Sequence, residues 1–413
     1  MEAPLVSDKP ANHATSLKRG LTLPLLTLYG LGVTIGAGIY VLVGITAAEA
    51  GLYAPISFII AAGTVAFTGF TYAELCTRYP VSAGEAAFVE KGFNSNSLAL
   101  VVGLLVIASG VVSSAAISIG ATGYLNSFIP LSPMVLTALI IMLLGLVAVW
   151  GIVESVTIAA IFTLIELAGL ALVLYYGVSL KPDLVGELGS LIPPATGAAW
   201  AGITSAGLLA FFAFVGFEDI ANVAEEVKDP GKTLPPAIIL TLLIATLLYV
   251  AVVSVIVLAV PMETLTKSAA PLALVFEKAG SGTSKLFDAI ASIATINGLL
   301  IQMIMASRVL YGMASRGTMP AIFAPVNSVT RTPLNATLMI VVIVLALALF
   351  FPIAELAKAT STLVLFVFVL VNLALLSLKW RGEPAAPGAF EVPLWVPVMG
   401  CITSSLLLLS GLF

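Results

Sequence analysis

The sequence predicts an all-α membrane protein of about eleven helical spans, two of them interrupted at matching positions. Three observations predict it. First, 60% of the 413 residues are hydrophobic and 9% are charged, and mean hydropathy is +1.15. A soluble domain carries about 25% charged residues, so most of this surface must face lipid. Second, apolar runs long enough to cross a bilayer recur along the whole chain. Third, glycines interrupt the first and the sixth of these runs near their centres.

The runs come first. A hydrocarbon core of about 30 Å needs roughly 20 apolar residues as helix. Eleven segments qualify, at approximately 25–49, 54–77, 97–125, 133–151, 155–177, 199–222, 235–260, 286–312, 333–352, 358–379 and 393–413. Pro235, Pro236 and Pro333 stand at span starts, where a missing N–H costs least. With the N-terminus inside, twelve Lys and Arg fall on the inner side and five, all lysines, on the outer side. That asymmetry predicts a multi-pass protein of the cell membrane with a cytoplasmic N-terminus. The run after Lys18 and Arg19 is too long for a signal peptide and is taken as the first span. The segments group into a cytoplasmic tail (1–24), a first half of five spans (25–177), a second half of five (199–379) and one additional C-terminal span (393–413). Connections of no more than about 25 residues leave no room for a further soluble domain. The outer connections 178–198 and 261–285 are long enough for short lid helices, and the inner segment 80–96 for an interfacial one.

Several function classes lose their chemistry at this point. The two cysteines, Cys76 and Cys401, are far apart, and the single histidine, His13, lies in the polar tail. No Cys/His cluster holds a metal, no cofactor is implied, and a triad enzyme would lack its base. No basic block suggests nucleic acid. A channel would need a filter of repeated carbonyls or charged rings, and none is present.

The interruptions are the informative part. The first span reads LYGLGVTIGAGIYVLVG (28–44), with Gly36, Ala37 and Gly38 at its centre. The sixth reads LLAFFAFVGFEDIANVAEE (208–226), with Gly216 near mid-span and Glu218 and Asp219 directly after it. Glycine costs about 1 kcal/mol relative to alanine inside a helix. For Gly30 and Gly32, close helix packing accounts for the residue. Consecutive weak positions at mid-membrane instead free backbone groups, which is tolerable only around a cavity or ligand. Paired interruptions in the two halves point to an inverted-repeat transporter site. Half-helix N–H groups there can hold a carboxylate and freed carbonyls an ammonium, and an α-amino acid carries both.

Four segments carry a family resemblance: TIGAGIY (34–40), FTYAELCTRYPVSAGEAAFVEKGF (70–93), FFAFVGFEDIANVAEEVKDPGKTLPPAI (211–238) and MASRVLYGMASRGTMPAIFAPVNSVTRTP (305–333). Together they resemble the signature segments of the amino acid–polyamine–organocation superfamily, and within it the cationic amino acid transporter-like bacterial permeases. The resemblance runs from about 18 to 380. It implies a LeuT-type bundle of five plus five inverted spans with helices 1 and 6 broken. It also implies a secondary active transporter of amino acids working by alternating access. By the same resemblance, Ile35, Gly36, Ala37, Gly38 and Ile39 offer backbone amides to the substrate carboxylate. Carbonyls of Phe212, Ala213 and Val215 receive the amino group, Phe217 is the outer lid, and Glu218 takes part in gating. By spacing alone, Phe217 is equally a core aromatic.

Glu166 stands at the midpoint of the fifth span, in SVTIAAIFTLIELAGLALVLYYG (155–177), with apolar residues on both sides. An ionised carboxylate there costs several kcal/mol, so it must be protonated, paired or bound to a cation. Proton-coupled members of the superfamily hold a lysine at this place, and this chain departs from them. Three readings follow. Glu166 carries the coupling proton; or it ligates sodium with carbonyls of span one and hydroxyls such as Ser292 or Thr295; or it is a structural acid bonded to Asn297 or a serine. Proton symport is the expected coupling, with sodium symport and coupling-free exchange as alternatives.

Ser113, Ser114, Ser118, Asn297, Thr360, Ser361 and Thr362 are candidate cavity-lining groups, although hydroxyls in such helices often bond their own backbone. Glu74, Arg78 and Arg316 resemble inner-face charges that pair to close the inner gate, or serve only as interfacial anchors. Apolar residues around the breaks favour neutral or broadly chosen amino acids.

Overall fold

The computed structural model describes residues 20–36, 38–81, 84–150, 156–280, 284–315, 317–328, 330, 332–385 and 388–410. Ala37, Arg316 and the tail before residue 20, with His13, lie outside the described residues.

Among the described residues there are helices and no strands. In order they are α1 (Leu23–Ile35), α2 (Gly38–Ala50), α3 (Ala54–Arg78), α4 (Gly84–Phe93), α5 (Asn96–Leu125), α6 (Pro133–Trp150), α7 (Val156–Leu180), α8 (Leu184–Glu187), α9 (Gly197–Phe212), α10 (Pro230–Ala259), α11 (Met262–Lys267), α12 (Ala273–Lys278), α13 (Ser284–Ser315), α14 (Leu334–Phe350), α15 (Ile353–Trp380) and α16 (Trp395–Ser410). A 3-10 segment, Phe217–Glu226, follows α9. Among the described residues seven helical stretches are long and apolar enough to cross a membrane, and three shorter apolar helices accompany them.

Burial sorts these helices by layer. Most residues of α1 and α2 are buried, whereas 33% of the most apolar window of Ala160–Leu180 is. The first broken helix is therefore central, and α7 turns much of its surface outward. The outer layer is apolar and exposed, as at Leu146, Leu247, Val342 and Leu406. Such side chains gain nothing from water, and this surface suits lipid. Around the centre, α1 packs on α7 and α10, α2 on α9, and α5 on α13 and α15.

The short helices fall where the connections leave room for them. Two of them, α11 and α12, lie in the 261–285 connection, and α8 lies in 178–198. The predicted interfacial helix is α4, whose Phe88 and Val89 are fully buried. One helix start moves. α10 begins at Pro230, which places Pro235 and Pro236 inside it rather than at its start. Pro230 is itself a suitable first residue, whereas Pro235 and Pro236 lie past the first turn, where each removes an i→i−4 hydrogen bond. Pro333 does sit at the N-cap of its helix.

Glu74 anchors the end of the bundle where α3 finishes. Its carboxylate is fully buried. Its Oε1 pairs with Arg78 at 2.7 Å and Lys379 at 2.8 Å, and its Oε2 accepts the Val392 N–H at 2.7 Å. Arg78 also donates to the Glu383 carbonyl. These charges bind α3, α15 and the 383–392 connection into one unit, a scaffold role rather than a contact across the breaks. Glu74→Ala takes the buried counter-ion from Arg78 and Lys379, leaving Arg78 the exposed Glu391 at 3.7 Å and Lys379 the Val392 carbonyl, and removing one partner of a buried pair costs up to about 3–5 kcal/mol. A large fall in melting temperature in detergent is the expected result, and an unchanged midpoint would show the cluster to be energetically idle.

Candidate functional site

The two interruptions meet. α1 ends at Ile35 and α2 begins at Gly38. α9 ends at Phe212, and Gly216 then adopts φ +120°, a conformation suited to glycine, before the 3-10 segment starts. A Cβ on Gly38 would lie 2.3 Å from the Cα of Ala213. One on Gly216 would lie 2.9 Å from the carbonyl oxygen of Val33. Only glycine permits the two backbones to approach this closely.

The breaks determine which main-chain groups are free. The Gly36 N–H is donated to the Gly32 carbonyl at 3.2 Å, and Ile35 is still within α1. Their amides are therefore spent on the helix itself, contrary to the expectation that they face a carboxylate. A helix ladder closes four residues back, so it consumes every N–H up to its last turn. The first-turn amides of α2, at Gly38 and Ile39, have no acceptor within their own helix and remain available to an anion.

On the second break, the Phe212 carbonyl accepts the Val215 N–H at 3.2 Å. The Ala213 carbonyl accepts the Tyr249 hydroxyl at 2.9 Å. No donor among the described residues reaches the Val215 carbonyl. The Gly216 N–H is capped by the Glu218 carboxylate at 2.8 Å, so Glu218 satisfies the break that it follows.

Phe217 is fully buried, with its ring 5.5 Å from both Tyr72 and Phe368. It lies beyond the break, towards Glu226, whose carbonyl accepts the N–H groups of Gly20 and Leu21. Phe217 thus sits on the side of the N-terminal tail. A cytoplasmic tail, as the charge asymmetry predicts, would put Phe217 in the inner half, opposite to the outer-lid expectation. The chain passes from the α9 end to the tail end through the break, and a residue following the break cannot cover its other face.

The far side is closed by other aromatics. Tyr40 stacks on Phe287 at 6.1 Å, and Phe287 on Phe276 of α12 at 4.4 Å. The Tyr124 hydroxyl donates to the Tyr40 carbonyl. On the tail side a small cleft of about 30 Å³ is lined by Tyr72, Glu85, Val215, Glu218, Asp219 and Gln302, among others. Glu85, on α4, is 4% exposed and accepts the Tyr72 hydroxyl at 3.2 Å. Burial raises its carboxyl above the usual range, partly offset by hydrogen bonds to the charged form. The folded protein then keeps this proton at a pH where the unfolded chain has lost it. Stability is greatest below the ordinary glutamate range and declines as pH rises towards the raised folded value. Glu85→Gln removes this penalty, so it should raise the melting temperature at pH 8 more than at pH 5.

Glu166 is fully buried on α7, and neither carboxyl oxygen has a hydrogen-bond partner. Its polar neighbour is the Asn297 side chain, whose Nδ2 is also buried without an acceptor. The Asn297 side chain is near enough to interact with the Glu166 carboxyl, so the structural acid beside Asn297 stands next to the proton carrier as a reading of this residue. Its backbone carbonyl accepts the Tyr40 hydroxyl at 2.7 Å, which ties α7 to the start of α2. Ser292 and Thr295 donate to carbonyls of their own helix. So do Ser114, Ser118, Thr360 and Thr362, as the self-bonding alternative holds. Ser361 Oγ is buried without a partner.

Sequence reasoning passed over Tyr40, Glu85 and Tyr249. A lone tyrosine in an apolar span is the signal for the last, since a buried hydroxyl needs a partner.

A family model described as amino acid permease matches residues 21–413. The branched-chain amino acid permease BcaP of Bacillus subtilis is 31% identical, over 93% of this chain and 85% of its own. The methylthioribose transporter of the same organism is 28% identical over 98% and 90%. The vacuolar cationic amino acid transporter 4 of Arabidopsis thaliana is 31% identical over 88% of this chain, which spans only 63% of its length.

Proposed function

This chain belongs to the amino acid permease family, and from that premise we propose that it is a secondary active carrier of amino acids working by alternating access. It is a multi-pass, all-helical membrane protein. The observation that carries the proposal is the meeting of two helix breaks at Gly38 and Ala213. The contact brings the first-turn amides of α2 close to the carbonyls of 212–215, and the two sets suit the opposite ends of a zwitterion. Gly38 and Ile39, with Ala37, bind the carboxylate. Val215, whose carbonyl has no other donor among the described residues, leads the acceptors for the amino group. Neutral or broadly chosen side chains fit the apolar surroundings.

The topology we propose is five plus five inverted spans and one further C-terminal span, with the tail in the cytoplasm of a cell whose plasma membrane holds the protein. Proton symport is the coupling, with Glu166 as proton carrier. Its full burial within an apolar span supports this, because a buried acid of this kind must take a proton or a cation. Glu218, on the wall of the tail-side cleft, joins the gating. The aromatic rings packed on the far side and the cleft on the tail side support a resting state that faces the tail.

The test is uptake into proteoliposomes of labelled leucine, alanine, lysine and glutamate, under a pH gradient, a sodium gradient or neither. Saturable uptake driven by the pH gradient is expected. Uptake that responds only to sodium, or only to internal amino acid, would move the coupling to a symporter of sodium or an exchanger. Non-saturable flux that no competing amino acid reduces would remove the carrier altogether.

A further inference from the structure

Tyr249 lies in α10, fully buried, and its hydroxyl is 2.9 Å from the carbonyl oxygen of Thr34 and 2.9 Å from that of Ala213. These two acceptors are not an arbitrary pair. In an unbroken helix, Thr34 would receive the N–H of residue 38 and Ala213 that of residue 217, four places on. Each of those amides lies just past a break, and neither reaches back. Among the described residues no backbone amide reaches either carbonyl, and a single side chain from a third helix takes both. A phenol has one hydrogen to donate, so the two carbonyls share it and the oxygen stands between the two breaks.

The ring is fixed for this task. It packs edge-on against Phe58 at 6.0 Å and against Phe214 at 5.1 Å, and its oxygen stands 2.9 Å from both carbonyls, so the hydrogen can turn to either without moving the ring. Beside it, Gly38 and Ala213 leave no space for an added carbon. The hydroxyl thus sets the separation between the amides that begin α2 and the carbonyls at 212–215.

We propose that Tyr249 is a positioning residue that ties the two breaks together and fixes the distance between carboxylate-binding and amine-binding groups, making the site selective for amines on the α-carbon. This deepens the carrier proposal and rests on it for the substrate. The test uses Y249F, which keeps the ring and removes only the hydroxyl, and F58L, which loosens the ring and keeps the hydroxyl. In proteoliposomes, Y249F should raise the KM for leucine about tenfold, the effect of leaving buried carbonyls without a donor. The maximal rate should stay within about twofold. The preference for leucine over its β-amino isomer should fall by a similar factor, while F58L retains that preference. An unchanged preference in Y249F, or an equal loss in F58L, overturns the proposal. Hydrogen exchange supplies a readout that does not depend on transport. In Y249F, amides in 34–40 and in 212–219 should exchange faster together, and acceleration in one segment alone, or in neither, also overturns it. If the unaltered protein takes up none of the labelled amino acids, the carrier proposal fails, and the exchange measurement still decides whether Tyr249 joins the breaks.

Discussion

Glu166→Gln is expected to abolish accumulation driven by a pH gradient while leaving amino acid exchange within a few-fold of the unaltered protein. Glutamine keeps the shape of the side chain and its hydrogen-bonding atoms but cannot release a proton. One pH unit stores about 1.4 kcal/mol per proton, so a one-to-one symporter accumulates its substrate about tenfold under that gradient. Without the proton carrier the ratio falls to about one. Exchange of internal for external amino acid needs no net proton movement and should persist, because the breaks do not touch the carboxyl oxygens. The variant should also fold at least as well. The carboxyl oxygens are buried without donors, and a neutral amide beside Asn297 lowers the cost of burying them. Tenfold accumulation surviving in the variant would refute the proton-carrier role. Loss of exchange together with accumulation would instead place Glu166 in the substrate path.

The breaks themselves were legible because glycines paired between otherwise apolar spans weaken both helices at mid-membrane, where freed backbone groups need a cavity or a ligand. Glu166 was legible for a similar reason, as one carboxyl in a run of aliphatic side chains. The ownership of individual amides and carbonyls was not. It depends on where each helical ladder stops, and a shift of two residues at Gly36 decides whether its N–H faces a ligand or Gly32. Composition near the break is the same in either case. Phe217 shows a second limit. Its burial among aromatics was foreseeable, but which side of the break it covers follows from chain direction through the break. The Glu74 cluster shows a third. Glu74 and Arg78 read as interfacial charges, and only the return of the 383–392 connection to α3 makes Glu74 a fully buried counter-ion for Lys379 as well. The Thr68, Thr71 and Asn372 hydrogen bonds between α3 and α15 are of the same kind, with about 300 residues of chain between the partners.

Gly38→Ala is expected to reduce uptake on the order of 100-fold, the cost of displacing binding groups by about 1 Å, with helix content unchanged. The added carbon would stand 2.3 Å from the Ala213 Cα and 3.1 Å from its backbone nitrogen. Neither contact can be relieved by turning a side chain, so one half-helix must move away from the other. Alanine is a better helix former than glycine, so α2 itself gains locally, and a loss of uptake then comes from the junction and not from unfolding. The neighbouring glycines sharpen the comparison. At Gly63 an added Cβ meets nothing within 4 Å, so Gly63→Ala should leave uptake unchanged or slightly improve stability. Gly216→Ala should resemble Gly38→Ala, because φ +120° strains any residue with a Cβ and the Val33 backbone crowds the same space. Circular dichroism and radiolabelled uptake on the three variants separate these cases. Normal uptake in Gly38→Ala would mean that the two breaks can part without consequence, and a site assembled from both of them could not then be where the substrate binds.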